Sequence, residues 1–251
     1  MPGPDPRRGA EPDACPFGRL RTGARRTGFA LLAAAVLAGC ATAPAGRGLP
    51  PSVERFLDRN GWDLAGYESS DLESPAGYFF HDRSYSSPAP PDLVWKAYTA
   101  LEPSAAWKTS RTRPGVVWDP SGSRLYAAGE TAPPFSPGQV LVLDVRIFGP
   151  FRIPASFRIT RIDEPERLIE FVYLKRNLSN GVQRIRFQER AGPDGSPSTV
   201  IVHSTWYRSG RPFRDRSLYG PIHARIIDAF HAGVFRISGL TRDRPFRNAP
   251  E

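Results

Sequence analysis

From Gln139 onward the chain alternates apolar and polar positions with a period of two, and the runs are broken by turn residues. Leu141, Leu143, Val145 and Ile147 alternate with Val140, Val142, Asp144 and Arg146. After Gly149-Pro150, the positions Phe151, Ile153, Ala155, Phe157 and Ile159 alternate with Arg152, Ser156, Arg158 and Thr160. Leu168–Leu174 is a third run. Asn180-Gly181 reads as a tight turn leading into Ile185 and Phe187, and Thr199–Tyr207 is the last strand. No helical pattern interrupts these runs, so they predict an antiparallel meander. A looser alternation from Tyr78 to Tyr85 predicts one strand before it.

Three stretches carry a helical period instead. Ser52–Leu57 predicts a short helix with Ser52 as its N-cap and Gly61 as its stop. Pro91-Asp92 opens a second, with Leu93, Val94, Ala97, Tyr98 and Leu101 at helical spacing. The longest runs from about Asp215 to Ser238. At about 100° per residue, Leu218, Tyr219, Ile222, Ile226, Ala229, Phe230, Gly233 and Ile237 gather on one side, while Arg225, Asp228 and Ala232 face away. Such a stripe has to pack on something large and apolar, and the sheet is the available surface. Residues 103–138 are rich in Pro and Gly and give no clear element.

The N-terminus carries a different signal. Arg25-Arg26 precedes an apolar run from Phe29 to Leu37 that ends in Ala38-Gly39-Cys40. A cationic start, an apolar stretch of roughly 7–15 residues and small residues at the cut are the parts of a secretory signal. The run is shorter than the about 20 apolar residues a bilayer-spanning helix needs. Leu37-Ala38-Gly39-Cys40 resembles the lipobox of bacterial lipoproteins, which implies cleavage before Cys40 and a lipid on its sulfur. Ala41 at the next position implies the outer membrane, facing the periplasm, as the destination. The expected organisation is a signal peptide over 1–39, a lipidated Cys and flexible tether over 40–51, and a helical extension over 52–75. A main domain over 76–240 and a disordered tail over 241–251 complete it.

Composition changes this picture little. The chain has net charge +9, and residues 40–251 alone hold 28 basic and 22 acidic side chains, or +6. An exported chain does not meet the genome, so no nucleic acid is expected as partner. Arg outnumbers Lys thirty-one to three, which points to GC-rich coding, with weak attraction to anionic lipid heads or cell-wall polymers as the alternative. Of the two cysteines, Cys15 falls in the cleaved segment and Cys40 is taken by lipid, so the domain is held by its core without a disulfide.

The order of elements, together with Tyr85-Ser86-Ser87-Pro88-Ala89-Pro90-Pro91-Asp92-Leu93-Val94-Trp95 and Trp107, resembles the START-like superfamily, also called the polyketide cyclase or Bet v 1-like family, over about residues 76–240. That resemblance implies an α+β helix-grip fold: a curved antiparallel sheet of six or seven strands wrapped around a long C-terminal helix. It also implies an apolar ligand, lipid-like or polyketide-like, between the two.

Chemistry concentrates where the last strand meets the last helix. His203, Thr205 and Tyr207 share one face of the strand; Tyr219 and His223 open the helix, and His231 follows. His203, Tyr207, Tyr219 and His223 are expected to line one end of the cavity, with Arg211 and Arg214 at its mouth for a carboxylate or phosphate head group. His203 or His223 as a general base would make the domain a cyclase- or hydrolase-type enzyme instead. A third reading is an assembly protein whose groove docks a partner. No cofactor is expected, and no metal either, since His223 and His231 stand eight residues apart and not the three or four of a helical metal pair. No Gly-X-Ser-X-Gly elbow or phosphate loop is present. Trp95, Trp107, Trp118 and Trp206 are expected in the core, with cavity lining as the alternative.

The lipobox makes one direct prediction. Cys40→Ser is expected to leave an unprocessed precursor that takes up no labelled fatty acid in growing cells; label in that variant would rule out Cys40 as the acylation site.

Overall fold

The computed structural model describes residues 48–70 and 76–241; the export segment, Cys40, most of the tether and the tail lie outside them. Eight antiparallel strands form one sheet: β1 (Phe79–Ser87), β2 (Thr112–Asp119), β3 (Arg124–Ala127), β4 (Val140–Phe148), β5 (Phe151–Asp163), β6 (Leu168–Tyr173), β7 (Asn180–Ala191) and β8 (Pro197–Arg208). Their spatial order is β1-β8-β7-β6-β5-β4-β2-β3. The helices are α1 (Pro51–Asn60), α2 (Pro91–Thr99), α3 (Pro103–Trp107) and α4 (Gly220–Ser238). The inner face of the sheet, the three helices α2, α3 and α4, and the aromatics between them form one core. This is the helix-grip α+β fold.

The sheet has eight strands where six or seven were expected. The extra two come from 103–138, which also holds α3. Pro114, Gly115 and Pro120 hide β2 and β3 from a reading by alternation, because β2 carries a register shift between Pro114 and Val116. A side chain at Gly115 would lie 2.6 Å from the Val142 carbonyl and from a Val53 methyl, so only glycine lets α1 approach there.

That approach explains β4, whose residues 140–145 are all buried on both faces. Leu141, Leu143 and Val145 face the main core. Val140 and Val142 face a second cluster with Val53, Phe56 and Leu57 of α1, together with Leu64 and Tyr67. The N-terminal extension is thus the outer cover of β2 and β4. Ser52 is not the N-cap; α1 begins at Pro51 and has no side-chain cap. Ser52 instead donates to the buried Asp144 carboxylate at 2.5 Å and pins the helix to β4. Gly61 does end α1, in a positive-φ conformation.

Asn180-Gly181 is not the turn. It starts β7, and the chain reverses over 175–179. Gly181 has φ 150°, and a Cβ there would come within 1.9 Å of the Trp206 carbonyl oxygen, so glycine is needed for strand contact and not for a hairpin bend.

In α4 the buried residues are His223, Ile227, Phe230, His231, Gly233, Val234 and Phe235. Leu218 and Ile237, expected in the stripe, are 42% and 44% exposed. Asp228, expected to face away, is clamped by Arg83 at 2.8 Å and by the Tyr85 hydroxyl at 2.7 Å. The C-terminal half of the helix fills the core: Phe230 stacks on Trp107 with ring centroids 4.3 Å apart. Phe230→Ala is expected to cost about 3–5 kcal/mol, whereas Arg225→Ala on the exposed face should change stability by no more than about 0.5 kcal/mol. Urea unfolding of both variants checks it, and equal losses would contradict this packing.

Candidate functional site: a cavity under the N-terminal half of the long helix

The N-terminal half of α4 stands off the sheet. Between it and β4–β5 lies a cavity of about 410 Å³, within the size range of small-molecule sites. Its walls are Leu143, Val145, Ile147, Ile153, Ala155 and Phe157 from the sheet, faced by Ile222 and Ile226 of α4. The sheet residues are the inward positions of β4 and β5, whose alternation puts every second side chain on this face.

The inner end is polar. Tyr173 is the last residue of β6, and Gln183 is the one polar residue in the inward series Gly181, Gln183, Ile185, Phe187 of β7. Both line the cavity, with Tyr219 and His223 opposite. The Gln183 amide nitrogen donates to the Tyr173 hydroxyl at 2.8 Å, and that hydroxyl meets the Tyr219 hydroxyl at 2.6 Å. His223 Nε2 is 3.4 Å from the same oxygen. Tyr219 enters this arrangement through a π-helical turn, Arg214–Tyr219, that runs directly into α4. Wider turns of this kind are frequent at functional sites.

Behind the polar wall is a second layer. His203 is fully buried, with Nε2 2.8 Å from the Gln183 carbonyl oxygen and Nδ1 2.9 Å from His231 Nε2. The carbonyl oxygen can only accept, so His203 Nε2 carries the proton. His231 Nδ1 in turn meets the Tyr98 hydroxyl at 2.6 Å. The hydrogen bonds therefore run in series: Tyr98, His231, His203, Gln183, Tyr173, Tyr219. Each polarises the next. His81 completes the group; its ring centroid is 5.8 Å from that of His223. All four histidines of the chain meet here.

Burial governs the titration of three of these histidines. Burial, reinforced by the neighbouring imidazoles, holds His203 and His223 well below the ordinary histidine value of 6.5. Burial, and then the Arg83 charge, lowers His81. Burial pushes the Tyr173 phenol up to about 12, and burial together with Tyr173 raises Tyr219 well above its usual value. Among the described residues no three His, Cys, Asp or Glu side chains are placed to hold a metal ion.

Of the residues expected at the site, Tyr219, His223 and Arg214 line the cavity. Arg214 stands at the mouth, where it donates to the Leu178 carbonyl and to Ser179 Oγ. His203 and Tyr207 do not line it. Both point inward, as the strand face predicts, but His203 is screened by Gln183. Tyr207 stacks under Tyr219 with centroids 3.7 Å apart and donates to the Asp215 carbonyl. Arg211 is exposed and lies outside the lining. Tyr173 and Gln183 were missed by the sequence reading; a polar residue in an otherwise apolar inward series was the available signal for Gln183. Trp107 serves as both core and cavity wall.

No family model and no curated protein matches the chain. Among solved structures it is similar to a major latex-like protein of Panax ginseng, at 13% identity over 64% of this chain and 96% of that one, with a TM-score of 0.43. Norcoclaurine synthase of Thalictrum flavum matches at 16% over 64% and 92%, with a TM-score of 0.44. A protein of Nitrosospira multiformis matches at 11% over 62% and 93%, with a TM-score of 0.41. The assignment of the helix grip rests on the strand order and helix placement described above.

The buried histidines predict an acid-labile fold. The native state keeps His203 and His223 neutral, while the unfolded chain takes up a proton on each near pH 6.5. Protonation therefore favours unfolding: stability is complete above about pH 6.5 and falls toward pH 5 by about 1.4 kcal/mol per pH unit for each group. Urea midpoints across that window check it; a flat profile would contradict the neutral cluster.

Proposed function

We propose that this protein is a bacterial envelope lipoprotein, acylated at Cys40 and held at the outer membrane facing the periplasm, whose helix-grip domain binds a hydrophobic small molecule without transforming it. The observation that carries the binding reading is the cavity itself: aliphatic and aromatic walls, closed at one end by neutral hydrogen-bonding groups. Apolar walls supply most of the binding free energy, and a few fixed polar groups set orientation. The closed end holds no charge to offset that of a buried carboxylate or ammonium, which would be costly there. An uncharged oxygen suits it.

Two buried atoms of wall residues sharpen this. Trp107 Nε1 and His223 Nδ1 are buried and make no hydrogen bond within the protein. An unmet buried polar group costs about 1–3 kcal/mol, a penalty that a ligand carbonyl or hydroxyl would recover where the Trp107 or His223 ring turns that atom into the cavity. The favoured ligand is a long apolar molecule with one carbonyl or hydroxyl at its buried end.

A base role for His203 finds no support in the geometry, because both ring nitrogens are engaged with protein groups and Gln183 stands between the ring and the cavity. His223 borders the cavity and is assigned to ligand hydrogen bonding.

Calorimetric titration with an alkane, a methyl ketone, an alcohol and a fatty acid of equal chain length tests the reading. The ketone or alcohol should bind more tightly than the alkane and the acid, and Tyr173→Phe should reduce that preference by about 1–2 kcal/mol. Equal binding of ketone and alkane would remove the polar-end assignment; no binding by any of the four would remove the binding reading.

A further inference from the structure

The mouth of the cavity is apolar on its outer surface as well. At the β4–β5 hairpin, Phe148 and Phe151 flank Gly149-Pro150, are 59% and 63% exposed, and have ring centroids 5.1 Å apart. Across the opening stand Leu178, in the turn between β6 and β7, and Leu218 of the π-helical turn, 56% and 42% exposed. All four also line the cavity. A contiguous exposed apolar rim of this kind marks an interaction surface.

Charge identifies what it meets. The three segments that build the rim, 145–154, 175–181 and 208–219, contain eight Arg or Lys residues and a single acidic one, Asp215. Asp215 is buried and accepts from the Ser209 amide; of the eight cations, Arg152 is paired with Asp144 and Lys175 with Glu68, and the remaining ones leave a positive excess around the opening. Two copies meeting rim to rim would bring like charges together, which disfavours a second copy of this chain. Apolar tips surrounded by arginines fit a bilayer surface instead. Phenylalanines enter the acyl boundary, and the guanidinium groups remain among anionic head groups. Beside the opening lies a polar basin lined by Lys175, Asn180 and Arg208, which shares Asn177 and Leu178 with the cavity wall. With Lys175 held by Glu68 at 2.9 Å, Arg208 is the group that would meet a head-group phosphate next to the entrance. Among the described residues no helix is long and apolar enough to cross a membrane.

We infer that this rim docks the open end of the cavity onto an anionic phospholipid surface, so that the cavity opens into lipid and not into water. The inference rests on the exposed rim and its charge, and holds whether or not the ligand chemistry above is right.

Hydrogen–deuterium exchange of the full chain tests it, with the protein free, on phosphatidylcholine vesicles, and on vesicles containing one third phosphatidylglycerol. The N-terminal segment carries six arginines beside its apolar run and would itself favour the anionic vesicles, so the rim is read from which segments slow and from the double variants. Exchange in 146–153, 177–181 and 211–218 should slow on the anionic vesicles more than on the neutral ones. Phe148→Ser with Phe151→Ser should return these segments to the rates of the free protein. Arg211→Glu with Arg216→Glu, which spares the cavity lining, should weaken vesicle binding at least about thirtyfold. Slowing that survives both double variants, or slowing confined to other segments, would overturn the inference. So would protection of the rim before vesicles are added, because the surface would then belong to a protein partner or to another part of this chain. Ligand titration reads the cavity separately, so failure of either proposal leaves the other standing.

Discussion

The structure depends on how far α4 is allowed to sink into the sheet. Its C-terminal half is pulled in by Phe230, Val234 and Phe235, all buried, with Phe230 flat against Trp107. Its N-terminal half cannot follow, because Tyr219 and His223 rest on Tyr173 and the paired side chains behind it. Burial of apolar area drives the first half, at about 25 cal/mol per Å². A hydrogen-bonded layer that cannot be compressed without orphaning polar atoms sets the height of the second. The wedge between the two settings is the cavity. It is a consequence of one helix packed by two different forces along its length.

The polar layer also explains why so many titratable groups are spent far from solvent. Tyr98, His231, His203 and Gln183 form a chain in which each group needs its neighbour, and removing one leaves the next unsatisfied. Such a network fixes side-chain positions more sharply than apolar packing does. Its outcome at the cavity is a Tyr173 hydroxyl that already accepts from Gln183, which makes it a better donor. On the other side, the Arg83–Asp228–Tyr85 contact ties α4 to the edge strand β1 and keeps its only carboxylate out of the cluster.

How much of this was legible in the sequence depended on the force involved. The strands of the meander and the opening of α2 at Pro91 could be read, because alternation and proline placement are local. β2 and β3 could not, since Gly115 is required by α1 pressing on it from a distant part of the chain. Asn180-Gly181 misled for the same reason: its glycine answers the Trp206 carbonyl across the sheet, not a turn. The face of α4 was set slightly wrong because a hydropathy stripe counts His223 and His231 as polar and Leu218 and Ile237 as apolar, the reverse of their burial. At the site, Tyr219 and His223 followed from adjacency of strand and helix. The shielding of His203 did not, because it depends on Gln183 standing beside it on a neighbouring strand.

Charge is divided along the same axis as packing. The inner end of the cavity is uncharged, while the positive excess that composition leaves unexplained gathers in the three segments around the opening. Coding bias places arginine wherever a basic residue is tolerated, but it does not remove acidic residues from the same three segments. It does not place two phenylalanines in solvent on a hairpin tip either. Exposed aromatic rings carry a cost in water and clustered guanidinium groups repel one another, and both costs fall at an anionic bilayer surface. A molecule soluble mainly in lipid would then pass from acyl chains, past the arginine belt, to aliphatic walls and last to neutral hydroxyls. At no point on that path would it meet a charge it has to neutralise, which is the condition for moving an uncharged apolar ligand without trapping it.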